Sequence, residues 1–442
     1  MVRGVSLPRS VAFTALVGIC LFFFASLATR ASGQSAKAGT ARLDAITIAG
    51  SARFKSDQIA AAIGMKPGMI VDRDTLQAGA DKLAALGLFN SVNYKFSSVP
   101  SGVRVTYNVI DAPAAPVVFD NFPWVTDAEI SGALAQSGVL FDGTAPFGGT
   151  DPDSIAQAIE KFLDARSIHA HVSHTLVGDP ASGQQVQQFR ADDVALTINS
   201  VSFSDDLASK DAAIEERLPD LVGKPYSRSL IQLFTFEQVR PVYLGHAYLR
   251  AEFPQPAAKL AAGTTNPLDA RVDVTIPIVP GPRFSWAGIQ WVGNTAVQSD
   301  DLSRLVEFKP GDPVDANRLA LLVQHIEGLY HQRGYLDFKL DLKPHFDEKA
   351  TRVSYAANID EGPQYHMGKL VLTGLSLEGE RRIRRAWPIP PDAVFDESAY
   401  QDFLDSGIKQ AFASLPVHYD KQGHFLQQDS INAKVDVLLD FQ

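Results

Sequence analysis

The stretch that runs from Lys309-Pro310-Gly311 through Leu319, Leu322, Val323, Ile326, Leu329 and Tyr330 to Arg333-Gly334-Tyr335-Leu336 decides the fold. Its apolar residues recur at i, i+3, i+4 and i+7, the stripe of a helix that buries one face. The Lys-Pro-Gly before it closes an earlier helix, since proline cannot continue one and glycine accepts the turn. The same order stands earlier as Lys66-Pro67-Gly68, an amphipathic run through Leu76, Ala80, Leu83 and Leu86, then Gly87-Leu88-Phe89. Recurrence of this kind means an array, which has to be read unit by unit.

Outward from the earlier copy, Ile46 and Ile48 alternate as a half-buried strand, Gly50-Ser51 turns, and Ile59 and Ile63 mark a short helix. Beyond it Val92, Tyr94 and Phe96 alternate, Pro100-Ser101-Gly102 turns, and Val103, Val105, Tyr107 and Val109 return as a hairpin partner. The later copy repeats this with Ile289 and Trp291 before Gly293-Asn294, Leu302, Leu305 and Val306 as first helix, Phe338 and Leu340 opening the hairpin, and Val353 and Tyr355 closing it. A third occurrence has Val201 and Phe203, Gly223-Lys224-Pro225, a helix kinked by Pro241, and Leu249, Ala251 and Phe253 as first hairpin strand. Two more units are placed by position: one with helices from Thr126 and Asp153, one with an Arg-rich helix, a helix near Glu397 to Phe412 and a closing strand near Ala433 to Leu439.

The predicted fold class is α+β: five tandem β-α-α-β-β units, each a three-stranded mixed sheet with two helices on one face. They are placed at 41–112, 113–193, 194–282, 283–363 and 364–442, with joints where glycine and proline allow bends. The polar loops 178–188 and 254–267 are read as insertions.

The Gly293-Asn294 turn, the Lys-Pro-Gly stop, the Arg333 to Leu336 junction and Glu361-Gly362-Pro363 give the unit its resemblance to a POTRA (polypeptide-transport-associated) domain. Five in tandem resemble the periplasmic half of the outer-membrane assembly factors of the Bam and Tam type. That resemblance implies a non-enzymatic array without cofactors, located in the periplasm at the outer membrane. Its implied partners are unfolded outer-membrane proteins or the barrel subunit of an assembly machine. Such families carry a C-terminal barrel, which needs at least about eight alternating strands. The repeats leave no room for one here, so a separate barrel subunit is expected. The terminal Val435, Val437, Leu439 and Phe441 read as the closing strand of the fifth unit.

Arg3 and Arg9 precede an apolar run from Val11 to Ala28, and Ala31-Ser32-Gly33 comes after it, which fits an export signal over residues 1–33. The run of about eighteen residues also meets the lower limit for a retained anchor, which would make the chain a membrane-anchored envelope scaffold. Ile19 before Cys20 lacks the small residue that lipidation requires, and beyond Cys20 the chain has no cysteine for a disulfide or thiol chemistry. The formal charge of -10 falls to near -13 once Arg3, Arg9 and Arg30 are set aside. An acidic chain of this kind is not built for nucleic acid, which is held through Lys and Arg.

Two motifs compete with this reading. His169-Ala170-His171-Val172-Ser173-His174 has the spacing of a metal-dependent hydrolase motif, but Ser173 stands where that motif has a metal-binding Asp. On a strand His169 and His171 share one side and His174 the other, so solvated edge histidines are expected and no metal site. The run Arg381, Arg382, Arg384 and Arg385 beside Trp387 is a candidate docking surface for an acidic partner or anionic head groups, and the favoured expectation is a solvated helix face paired with Glu378 and Glu380. The Gly143 to Gly149 segment lacks the Lys-Ser/Thr of a phosphate loop.

An open sheet edge accepts an extended chain as an additional strand. The resemblance puts that edge on the first hairpin strand: Val92, Tyr94 and Phe96; Leu249, Ala251 and Phe253; Phe338 and Leu340. Their apolar side chains are themselves expected to face the helices.

Overall fold

The computed structural model describes residues 39–179, 183–413 and 422–441. Their strands fall into five separate mixed sheets. The first holds β1 (Ala41–Ala49), β2 (Ile70–Val71), β3 (Phe89–Val99) and β4 (Gly102–Asp111) in the order β2-β1-β4-β3. The second holds β5 (Ala114–Phe119), β6 (Thr144–Pro146), β7 (His171–Gly178) and β8 (Gln185–Asp192) in the order β6-β5-β8-β7. The other three sheets have three strands each. They are β9 (Ala195–Phe203), β10 (Ala257–Leu260) and β11 (Asp269–Ile276); then β12 (Ser285–Val292), β13 (Lys339–Asp347) and β14 (Arg352–Asp360); then β15 (His366–Thr373), β16 (Gln422–Asp429) and β17 (Lys434–Phe441).

One topology recurs. The first strand runs parallel to the last, the last lies in the interior of the sheet, and the first hairpin strand takes the outer edge. An interior strand packed on helices buries every second residue. Val435, Val437, Leu439 and Phe441 do this in β17, each at most 2% exposed, so this segment is the interior strand of its sheet. Helices cover one face of each sheet, and five clusters of buried apolar residues fill the spaces between. In the fourth, Leu319, Leu322, Ile326 and Tyr330 project from the helix Ala316–His331 onto Trp286, Val353 and Tyr355.

Three expectations are corrected. The first two sheets have four strands, because the chain after the first helix returns to pair with the start of the first strand. Elsewhere the return shrinks to a single bridge, Thr197 with Pro225, Ser285 with Pro313 and His366 with Val394. The Lys-Pro-Gly turn is therefore a clasp as well as a helix stop. Leu43 N donates to Met69 O at 2.7 Å and Gly68 N to Leu43 O at 2.7 Å; Trp286 N donates to Asp312 O at 2.7 Å and Gly311 N to Trp286 O at 2.8 Å.

The second correction concerns the third sheet. Leu249, Ala251 and Phe253 are not on a strand: Tyr243 and Tyr248 hold this stretch in turns, with Phe253 packed edge-on to Tyr243 at 5.5 Å, and Pro254 and Pro256 come next. The hairpin strand is the short β10, inside the segment read as a loop. Likewise Gln185 to Gln188, read as loop, belong to β8. Third, the irregularity expected at Pro241 takes the form of a π segment ahead of the proline. The helix Arg228–Phe234 widens through a π segment, Thr235–Val239, and continues as Arg240–Gly245, with Arg240 N donating to Thr235 O.

Glycine is obligatory after β1 and β12. A Cβ on Gly50 (φ +101°) would sit 2.1 Å from Val109 O, and one on Gly293 (φ +89°) 2.2 Å from Ile359 O. No helix among the described residues is long and apolar enough to cross a membrane. The apolar run from Val11 to Ala28 and Cys20 lie outside them.

Candidate partner-binding edges

β3 and β13 form the long outer edges of the first and fourth sheets, paired on one side by β4 and β14. In β3, Val92 and Tyr94 lean on the core, and Tyr94 meets Tyr107 at 5.6 Å. Phe96 lies beyond the core and is 52% exposed. In β13, Leu340, Leu342 and Phe346 pack against the fourth core while Lys339, Asp341 and Lys343 are exposed. Phe338 stands just before β13 and is buried.

A native proline fixes which groups of β13 face outward. Pro344 pairs with Tyr355 in an unbroken register yet has no N-H to give. In an antiparallel ladder it fits a pair whose backbone groups point away from the partner. By alternation Leu342 and Leu340 turn their N-H and C=O to the open side. The charges and the proline are devices that keep an edge from indiscriminate pairing.

The acid just before the fifth sheet has a structural task. Glu361 accepts from Thr295 N and Ala296 N, both at 2.8 Å, from Thr295 Oγ1, and from Tyr330 OH at 3.0 Å. Burial works to raise its pKa, but these bonds outweigh it and hold the carboxyl below the usual range. Asp111 repeats the role in the first unit, accepting from Ala52 N at 2.8 Å.

Long-range contacts that no local pattern signals tie neighbouring sheets together. Arg53 donates to Asp142 at 2.8 and 3.0 Å and to Thr144 at 2.6 Å. Near it Asp151 is 1% exposed, and burial pushes its carboxyl up to about 7. Buried Asp120 accepts from Ser229 N at 2.8 Å and Ser227 Oγ at 3.1 Å, gripping the start of helix Arg228–Phe234. Asn317 Nδ2 donates to Pro241 O at 3.0 Å, and His331 Nδ1 meets Glu397 at 2.6 Å.

The histidines are not brought together. His169 pairs with Asp164 at 2.9 Å, His171 with Glu160 at 2.5 Å and His174 with Asp153 at 3.1 Å, three separate carboxylates of the helix Asp151–Asp164. No cluster that could hold a metal occurs among the described residues. The arginines lie on the helix Leu377–Ala386: Arg381 and Arg382 pair with Glu378, Arg384 pairs with Glu380 and also donates to Leu370 O at 3.0 Å. Arg385 makes no ion pair among the described residues. Acids in the first turn and arginines in the last suit the helix dipole, so much of this charge is spent within the helix.

Residues 41–110 and 284–362 match the family model for POTRA, described as "Surface antigen variable number repeat". Those two stretches of the chain carry POTRA domains. A putative outer membrane protein assembly factor of Treponema pallidum (strain Nichols) is 22% identical over 166 residues, which is 38% of this chain and 20% of that protein. Outer membrane protein assembly factor BamA of Buchnera aphidicola is 23% identical over 115 residues, 26% of this chain and 19% of that one. The matched part thus spans about a fifth of the length of these relatives. Among solved structures, POTRA domains 3 to 5 of Haemophilus influenzae BamA align at 15% identity and TM-score 0.41, covering 56% of this chain and 96% of that one.

Proposed function

We propose that the chain is a periplasmic array of POTRA units that takes part in outer-membrane protein assembly by holding extended polypeptide on its sheet edges. Its occupants are segments of unfolded outer-membrane proteins or of a partner subunit, added as a further strand to β3 or β13. Units divided near 112, 193, 282 and 363 present these edges separately. The observation that carries the reading is the open side of β13, where Pro344 marks the outward parity and Leu340 and Leu342 supply outward backbone groups. Backbone pairing reads shape and tolerates sequence, which suits a factor that handles many clients. The two relatives named as outer membrane protein assembly factors support the setting.

The test contrasts backbone with side chain. Leu340→Pro removes one outward donor and should weaken binding of a labelled precursor segment by the worth of one hydrogen bond, about 0.5 to 1.5 kcal/mol. Leu340→Ala keeps the donor and should bind nearly as wild type. Titrations are run after circular dichroism of each variant, with Tyr94→Pro as the counterpart on β3. Equal affinity for wild type and both proline variants would defeat strand addition.

A further inference from the structure

The third sheet lacks a long edge, and a pocket stands where that edge would begin. It lies between the π segment Thr235–Val239 and the stretch Phe253-Pro254-Gln255-Pro256, with a volume of about 300 Å³. The π turn sets Gln232, Phe236 and Arg240 on its rim. Phe253 and the two prolines form the facing wall. Pro254 and Pro256 have no N-H, so this wall has few donors for pairing with a strand. It offers apolar surface instead.

The polar groups of the pocket have one sign. Gln232 Nε2 is spent on Gln255 Oε1 at 3.1 Å, and Thr235 Oγ1 on Ile231 O at 2.8 Å. Arg240 lies over the Phe236 ring at 5.2 Å and makes no ion pair among the described residues; Glu237, one turn back, does not engage it. Phe236 is 37% exposed, and Phe253 is fixed by its edge contact with Tyr243. Aromatic walls with one uncommitted guanidinium match an apolar side chain flanked by a carboxylate, because Arg binds carboxylates in a planar fork.

We infer that this pocket is a second recognition site, for an acidic peptide segment carrying an apolar anchor, independent of strand addition. The anchor enters between Phe236 and Phe253, and an adjacent Asp or Glu side chain pairs with Arg240. The experiment uses the full chain and the fluorescein-labelled peptide Ser-Gly-Phe-Asp-Leu-Asp-Gly-Ser, with a control in which both Asp are Asn. Arg240→Gln should weaken the acidic peptide by about tenfold, the worth of a charged hydrogen bond, and leave the control unchanged. Phe236→Ala should weaken both peptides, while Leu340→Pro should affect neither. Wild-type affinity in Arg240→Gln would overturn the proposal. So would saturable binding of dodecanoate with no peptide binding, which would give the pocket to a lipid chain.

Discussion

At the end of its second helix the third unit places Ala247 at φ +69°, and the fourth places Gly334 at φ +80° at the corresponding point. The backbone turns alike in both. In the fourth unit the chain then enters β13 and builds a nine-residue edge; in the third it passes Pro254 and Pro256 and forms only the four-residue β10. The turn therefore does not determine the edge. The residues after it do: a run able to extend makes a strand, and a run with two prolines makes a wall. Their junctions differ too. The third meets the fourth through the bond from Asn317 to Pro241 O and the ion pair of Arg250 with Glu348, whereas the fourth meets the fifth through His331 and Glu397.

The comparison is most severely tested at the cores. Ile326 and Ile231 are both fully buried, and truncating either to Ala should cost about 2 to 5 kcal/mol. Each loss should stay in its own unit, as read by hydrogen exchange along the chain. Equal loss of protection in both units from either variant would mean that they unfold as one body.

A smaller effect separates the turns. A Cβ on Gly334 would stand 2.6 Å from Tyr365 O, so Gly334→Ala should destabilise by about 1 to 3 kcal/mol in urea denaturation. Ala247→Gly gives up about 0.8 kcal/mol of methyl burial and relieves a similar left-handed strain, leaving little net change. A matching loss in both variants would show that the two turns are not equivalent.

The smallest effect is electrostatic. The bond to Glu397 raises the pKa of His331 above its ordinary 6.5. A raised histidine pKa adds stability that is fully present below about 6.5 and is lost as pH rises through the folded value. Melting temperatures of the fourth and fifth units should fall as pH rises above about 6.5, and His331→Gln should flatten that dependence. The junction of the third and fourth, tied by Asn317 and by Arg250 with Glu348, has no His-carboxylate pair among the described residues and should show no such trend. An unchanged pH profile in His331→Gln would mean that this pair does not set the stability of the joint.

The elements most legible in the sequence are those that repeat a periodic stripe or a punctuating turn. The helix through Leu322 and Ile326, the Gly293 turn and the strands around Val92 and Val353 are all visible because burial imposes period on them. β2 and β6 are invisible for the opposite reason, since two or three paired residues carry no period. Leu249, Ala251 and Phe253 alternate as a strand does, but the tyrosines 243 and 248 claim their surroundings. The real strand, Ala257–Leu260, has a composition that reads as loop. Contacts such as Asp120 with Ser229 join residues more than a hundred positions apart, and the pocket joins two segments that local pattern keeps separate.

The clasp that binds the Lys-Pro-Gly turn to the first strand has a consequence for valency. With the start of that strand already engaged, the first edge of a sheet such as the fourth is shortened, while β13 stays open along its length. A client held on β13 is then favoured over one on the shortened opposite edge, which limits cross-linking of two molecules. Strand addition along the chain would then be multivalent toward one precursor, each later engagement being intramolecular, so that edges weak alone hold through avidity. An array built this way can grip a long unfolded chain and still release it segment by segment.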